Sequence, residues 1–349
     1  MKYNILHLNL AAMKVIITGI TGQDGYFLSQ LLLSKGYEVH GIVRRNSSMT
    51  QGTVDFLPEN IRENVQIEYG DITDVNFLMN LMHKEKPDEI YHLAAQSFVG
   101  YSFQNVLSTY DVNIGGTLNI CNAVKDSSSD TKLYFAATSE LYGQPKETPQ
   151  NEKTPFYPRS PYAVSKLAGI WTVRTYRDAY KLFMSNGILF NHESEVRGPE
   201  FVTRKITRSV AKIKKGSKEP IILGNLNAVK DWGYAKDYVE GMWMMLQQDV
   251  PDDFVLGTAE SHTVREFAEA AFKEIGIELE WEGSGLNEVG ISSGRTYVKV
   301  GKEFYRPLES DNYMADFSKA RDKLGWYPKT SFKELVKIMV KSDIKLLGD

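Results

Sequence analysis

Tyr162 and Lys166 have the types and spacing of a proton-transfer pair. Four residues apart on a helix, they share one face. A free phenol has a pKa of about 10, too high for a base near neutrality. A neighbouring ammonium favours the phenolate and lowers that value, as does a positively charged nicotinamide ring. Lys166 could also hold the ribose of such a cofactor. Pairs of this spacing also occur on helix surfaces with no chemical role, so context decides. Thr138 and Glu140 supply some of it, since they follow Lys132 to Ala137, a run that reads as a strand. At a strand's carboxyl end both side chains point into the crevice where ligands lie in open α/β sheets. Thr138 can hydrogen-bond a sugar hydroxyl. Oxidising an alcohol needs no carboxylate at Glu140, whereas removing a proton beside a newly made ketone does. The plainer alternative for Glu140 is an acid favoured by a helix N-terminal dipole.

Near the start of the chain stands Thr18-Gly19-Ile20-Thr21-Gly22-Gln23-Asp24-Gly25. Glycines at 19, 22 and 25 permit a tight turn, close backbone approach to a pyrophosphate and close helix–strand packing. A strand before it and a helix after it favour a dinucleotide site over a structural turn. The second strand ends Val43-Arg44-Arg45-Asn46-Ser47-Ser48, with no acid to accept from a ribose 2′-hydroxyl. Two guanidiniums suit a 2′-phosphate, so the reading is NADP. The alternative is a solvated basic turn. Asp71 could accept from the adenine amino group or simply cap a helix. Leu93-Ala94-Ala95-Gln96-Ser97 ends the fourth strand with small residues over which a cofactor can lie.

The elements that must position these residues follow an alternating rhythm. Lys14 to Thr18, Glu38 to Val43, Val65 to Tyr69, Glu89 to Leu93, Lys132 to Ala137 and Gly187 to Phe190 read as strands. Between them Tyr26 to Lys35, Asn76 to Glu85 and Gly115 to Lys125 read as helices. Strands alternating with helices predict an α/β fold with a Rossmann-type doubly wound parallel sheet. After Asn191 the rhythm breaks: Arg204 to Lys215 is a basic helix, and Trp281 to Lys302 reads as a loop or hairpin region. The division expected is an NADP-binding part, 13–192 with 229–260, and a smaller nucleotide-sugar-binding part, 193–228 with 261–349. Residues 1–12 read as an extension before Met13, with no targeting signal.

Composition excludes several classes. The 349 residues carry 41 Lys and Arg against 44 Asp and Glu, a net charge of −3, without the basic surplus expected of a nucleic-acid binder. No apolar run reaches the roughly 18 residues that span a bilayer. The single Cys121 cannot pair internally, which points to a reducing, cytoplasmic setting. The six histidines are scattered, with no pair at metal-ligand spacing, so no metal is expected.

Taken together, these segments resemble the extended short-chain dehydrogenases/reductases and, within them, the GDP-mannose 4,6-dehydratase family. The likeness runs from Lys14 to the C-terminus. It rests on Ile17 to Gly25, Leu93 to Ser97, Thr138 to Gly143, Thr154 to Tyr162, Asn186 to Ser194, Phe201 to Lys205 and Arg306 to Glu309. It implies that Tyr162 takes the proton of the sugar 4-hydroxyl while hydride passes from C4 to NADP, with Thr138 assisting at that oxygen. It implies that Glu140 takes the C5 proton and returns it to the departing C6 hydroxyl, after which hydride comes back to C6. The cofactor contacts implied are Gly19, Ile20, Thr21, Gly22, Gln23, Asp24, Arg44, Asp71, Ile72, Leu93, Ala94, Ala95, Gln96, Ser97, Tyr110, Lys166, His192 and Arg197. For the nucleotide sugar they are Ser97, Asn191, Val202, Lys205, Gly224, Lys230, Arg306 and Glu309. A homodimer or homotetramer is implied too.

The chain departs from the family pattern in two places. Glu195-Val196 stands where the family usually has proline and arginine, and Lys230 stands where it usually has arginine. Lysine offers a point charge rather than a planar fork. Both changes fall on the sugar side, so GDP-mannose and GDP-manno-heptose are both candidate substrates. On the same fold, a nucleotide-sugar epimerase, a 4-oxidoreductase or a non-catalytic NADP sensor are the alternatives. Glu140 separates the dehydratase from the first two.

Overall fold

The computed structural model describes residues 12–45, 57–127, 130–304 and 313–348. The expected N-terminal extension, Asn46 to Ser48, Arg306 and Glu309 therefore fall outside the described residues, apart from residue 12.

Seven strands form the central sheet: β1 (Lys14–Thr18), β2 (Glu38–Val43), β3 (Val65–Tyr69), β4 (Glu89–His92), β5 (Lys132–Ala136), β6 (Met184–Leu189) and β7 (Asp253–Leu256). Their order is β3-β2-β1-β4-β5-β6-β7, and every neighbouring pair is parallel. The order reverses between β1 and β4, the switch point where doubly wound sheets bind ligands. Alternate side chains feed two cores. Val15 and Ile17 of β1 join Tyr134 and Ala136 of β5 on one face, while Ile16, Leu133 and Phe135 face the other. Helices α1 (Gln23–Ser34) and α6 (Ala235–Leu246) cover the first face. On the other side α2 (Val75–Glu85), α3 (Gly116–Ser127) and α4 (Pro161–Tyr180) pack in sequence.

The expected strands and helices are present, with two differences. β6 begins at Met184, because Ser185 and Asn186 are fully buried and bonded rather than exposed. The Asn186 amide donates to Asp253 Oδ1 at 2.6 Å, and Arg174 and Arg177 hold the same carboxylate. That cluster seats β7, a strand the sequence reading did not mark. The region from Trp281 to Lys302 is an antiparallel meander, Glu280–Glu282, Val289–Ser292 and Arg295–Val300, which continues parallel onto Ile221–Leu223.

Beside the meander, α5 (Val202–Lys214), α7 (Val264–Lys273) and α8 (Phe332–Leu346) pack together. Within that layer, buried Arg204 donates from Nε and Nη2 to Asp343 at 2.8–3.0 Å, and Thr207 adds a 2.7 Å bond. Asp343→Ala leaves the guanidinium buried without its carboxylate. It is expected to cost about 3–5 kcal/mol in urea unfolding. A loss below about 1 kcal/mol would mean that solvent reaches Arg204.

No helix of the described residues is long and apolar enough to cross a membrane. Near the amino ends of β1 and β2, opposite the switch point, the side chains of Glu38, His40 and Glu85 converge. Lys14 Nζ already sits 2.8 Å from Glu85 and 3.5 Å from Glu38, so an ammonium occupies their negative pole.

Candidate active site

A cleft of about 630 Å³ opens at the switch point. Its floor is the glycine loop after β1. Gly19 has φ +74°, and a Cβ there would come within 2.9 Å of Ala94 N. At Gly25 a Cβ would lie 2.5 Å from Ile20 Cα, so the glycine lets α1 press onto the loop. No side chain caps α1, which leaves its first N–H groups to an anion. Arg44 lines the cleft where β2 ends, and Asp71, Ile72 and Leu93 to Ser97 line it from β3 and β4. A positive-φ cradle and an uncapped helix, with an exposed arginine at the second strand's end, fit a dinucleotide.

The far wall carries Thr138, Glu140, Tyr162 and Lys166. Thr138, two residues past β5, accepts from Glu140 N at 3.2 Å, starting a short 3-10 turn that turns Glu140 inward. Glu140 is 9% exposed. Ser160 caps α4 through Ala163 N, and Pro161 begins the helix, placing Tyr162 and Lys166 on its cleft-facing first turns. Lys166 Nζ donates to Ala136 O at 2.7 Å. Burial lowers its pKa to about 8, so it remains mainly an ammonium at neutrality. Burial pushes the Tyr162 phenol up to about 12, against a lowering hydrogen bond from Thr138. The cation that opposes burial is Arg197 rather than the expected Lys166, and burial prevails in the protein alone. The positive charge of an oxidised nicotinamide is the further contribution that a phenolate needs.

Asp24 and His192 join the two sides of the cleft. His192 Nε2 lies 2.9 Å from Asp24 Oδ2, and Nδ1 lies 2.8 Å from Phe190 O. Both ring nitrogens face acceptors only, so both carry protons and the ring is an imidazolium. Burial opposes that charge, but the Asp24 carboxylate outweighs it and raises His192. Burial likewise opposes the Asp24 carboxylate, yet His192 holds it below the usual range. Gln23 adds a bond to His192 O at 3.0 Å and accepts from Ser194 at 2.7 Å. Sequence spacing gave no hint of this tie.

The remaining predicted residues divide. Asn191 and Arg197 line the cleft. Ile20 is wholly buried as a wedge against Gly41, leaving only its backbone for a cofactor. Tyr110 ends a short helix, Val106–Tyr110, off the wall. Lys205 and Gly224 meet at Phe304: the ammonium lies 3.2 Å from the ring centroid, and a Cβ on Gly224 would touch Phe304 O. Lys230 sits over the Tyr313 ring at 4.4 Å, and Val202 opens α5. Lys205, Gly224 and Lys230 thus meet the residues flanking 305–312, and none of the four is on the cleft wall itself. Phe98, Tyr101 and Phe201 line the cleft although none was named as a site residue from the sequence, Phe201 entering only as part of a family segment. Phe201 is held by Phe98, edge-to-face at 5.8 Å, and by the Arg197 guanidinium at 3.6 Å. Of the departures, Glu195 accepts from the Tyr234 hydroxyl at 3.2 Å.

Comparison with known proteins adds independent support. The family model described as GDP-mannose 4,6 dehydratase matches residues 16–339. The GDP-mannose 4,6 dehydratases of Cricetulus griseus and Homo sapiens are each 52% identical over 340 residues, covering 95% of this chain and 91% of each relative. The GDP-mannose 4,6-dehydratase of Yersinia enterocolitica is 46% identical, with 95% and 94% covered. Among solved structures, a UDP-glucose 4-epimerase of Thermotoga maritima superposes with a TM-score of 0.81 at 22% identity, covering 96% of this chain and 100% of that one. A dTDP-glucose 4,6-dehydratase of Streptomyces venezuelae reaches 0.79 at 22%, with 96% and 98% covered. At such identities the two structures share the fold alone. The full-length match to the family model and the identity to its members carry more: this chain belongs to the GDP-mannose 4,6-dehydratase family.

Proposed function

We propose that the chain removes water from a GDP-linked manno-configured sugar to give the 4-keto-6-deoxy sugar, with NADP as its resident cofactor. One observation carries this reading. A buried carboxylate, Glu140, shares a cleft wall with Thr138, Tyr162 and Lys166, opposite a phosphate-binding glycine loop. An epimerase or simple oxidoreductase on this fold has no use for that carboxylate. A nicotinamide dinucleotide held by the loop from Gly19 to Gly25, Arg44 and Leu93 to Ser97 would supply a reversible hydride acceptor for C4 and C6. The chain's own residues do the rest. Tyr162 takes the 4-hydroxyl proton, helped by the Lys166 ammonium and a hydrogen bond from Thr138. With C4 a ketone, Glu140 takes the acidified C5 proton and delivers it to the C6 hydroxyl, which leaves as water; once hydride is back on C6, the enolate takes a proton at C5, balancing the one Tyr162 removed.

GDP-mannose is the favoured sugar, because the relatives at 46–52% identity carry that substrate in their names. Mass spectrometry after separate incubations with GDP-mannose and GDP-manno-heptose tests both points. Loss of one water from GDP-mannose is expected. Loss from the heptose alone would reassign the sugar, and loss from neither, with NADP added, would overturn the reading. Arg44→Ala is expected to weaken NADP binding about 10- to 100-fold while changing NAD little, read by calorimetry. Equal effects on the two would take the 2′-phosphate away from Arg44. We assign residues 193–228 and 261–349 to the sugar side. A cytoplasmic homo-oligomer is the proposed form. Supporting the oligomer, Leu107 (80% exposed), Trp171 (55%) and Val164 present an apolar face on neighbouring helices.

A further inference from the structure

Beside the cleft stands a buried carboxylate that the reaction leaves unused. Glu193 is 2% exposed and ends a short strand, Asn191–Glu193, which pairs in parallel with Trp232–Tyr234. Its Oε2 accepts from Thr203 Oγ1, in the first turn of α5, at 2.6 Å. The same oxygen lies 3.2 Å from Arg197 Nε, an ion pair enclosed from solvent on that side. One carboxylate therefore joins the strand end, the turn that follows it and the start of α5.

Arg197 is held from several directions. Its backbone N–H donates to Ser194 O at 3.1 Å, and its carbonyl accepts from Arg204 Nη1 at 3.0 Å. Its guanidinium lies 3.6 Å from the Phe201 ring centroid, and Phe98 braces that ring edge-to-face. A guanidinium is a planar fork of five N–H donors. With Nε turned to Glu193 and one face on Phe201, the Nη edge is the part left for the cleft, which Arg197 lines. Its charge acts on Asp24 and His192 at the glycine-loop side and on Tyr162 in the far wall, so it stands at their seam. A long side chain loses rotamer freedom when it grips an anion, and restraint beforehand removes that cost.

We propose that Glu193 is a positioning residue that holds the Arg197 guanidinium edge-on to the cleft, set for a phosphate oxygen of the dinucleotide. The inference rests on the function proposed above, which makes NADP the resident of that cleft. A GDP-sugar carries phosphate too, so both ligands belong in the test.

Calorimetry on the dinucleotide-stripped protein, with NADP and with GDP, reads the outcome. Arg197→Leu is expected to weaken NADP about 10- to 100-fold and GDP less than about 3-fold. Glu193→Gln keeps the size of the side chain and an acceptor for Thr203, and is expected to weaken NADP about 10-fold. Added to Arg197→Leu, the same change is expected to cost less than about 2-fold more, since its effect runs through Arg197. A merely structural carboxylate would weaken NADP equally in both backgrounds, and that result would overturn the proposal. So would wild-type affinity in Glu193→Gln, or a larger loss for GDP than for NADP in Arg197→Leu. If Glu193→Gln does not fold, Thr203→Val takes its place: NADP about 5-fold weaker is expected, and unchanged binding refutes the proposal. A ligand-free measurement stands beside these. The Arg197 ¹⁵Nε–H signal, assigned with Arg197→Leu, should exchange slowly in the wild type and fast in Glu193→Gln. Fast exchange in the wild type would overturn the restraint itself. A wild-type enzyme inactive on both GDP-sugars would sink the functional reading and leave this exchange test intact.

Discussion

Glu140→Gln is expected to stop water loss while the sugar is still oxidised at C4. The amide keeps the size of the side chain and its place in the 3-10 turn after Thr138, but it cannot accept the C5 proton. General acid–base catalysis of this kind contributes about 10²- to 10⁴-fold. Because one carboxylate serves two transfers here, from C5 and to the C6 hydroxyl, the loss belongs at the upper end of that range. Quenching with borodeuteride and mass analysis reads the outcome. The variant should yield deuterated GDP-hexose that retains its C6 oxygen, from a 4-ketone that never lost water. Water loss at near wild-type rate would remove Glu140 as the C5 base and return the epimerase reading to contention.

Tyr162→Phe is expected to fail one step earlier. Without the phenol, the 4-hydroxyl proton has no acceptor, so neither the hydrated nor the dehydrated 4-ketone should form. The expected loss is about 10³-fold or more. Tyr162 is 8% exposed and its hydroxyl meets Thr138 inside the cleft, so removing it opens little space and stability should change modestly. The two variants therefore separate the half-reactions: a trapped ketone from Glu140→Gln, none from Tyr162→Phe. Ketone formation by Tyr162→Phe would transfer the role of base to another group, with Lys166 the first to test, since burial brings its pKa to about 8.

Much of this fold was legible because parallel strands buried on both faces read as β-branched runs between amphipathic helices. β1, β2 and β3 carry the boundaries the sequence implied. The reading slipped where polar residues were buried. Met184-Ser185-Asn186-Gly187 does not look like strand, yet the Asn186 Nδ2 and two arginines all bond the Asp253 carboxylate and hold β6 to β7. At the site, residues announced by local motif lie together on the cleft: the glycines, Thr138, Glu140, Tyr162 and Lys166. Contacts between distant segments left no such trace. His92 meets Thr117 only once the sheet is wound, and Asp24 meets His192 across 168 positions. Burial also reversed one expectation, since desolvation raises Tyr162 despite the lowering by the Thr138 hydrogen bond and the Arg197 charge.

The tie between Asp24, Gln23 and the strand end at His192 and Ser194 bears on residence time. The glycine loop cannot swing away from that strand end without giving up an ion pair, the Gln23 bond to a carbonyl and the bond from Ser194 together. Departure of a dinucleotide from beneath such a loop is then a rare, concerted event rather than gradual fraying. On the mechanism proposed above, electrons taken from the sugar return to it within one turnover, so the carrier has no need to exchange. The loop would then act as a fixture, with sugar alone passing through the cleft.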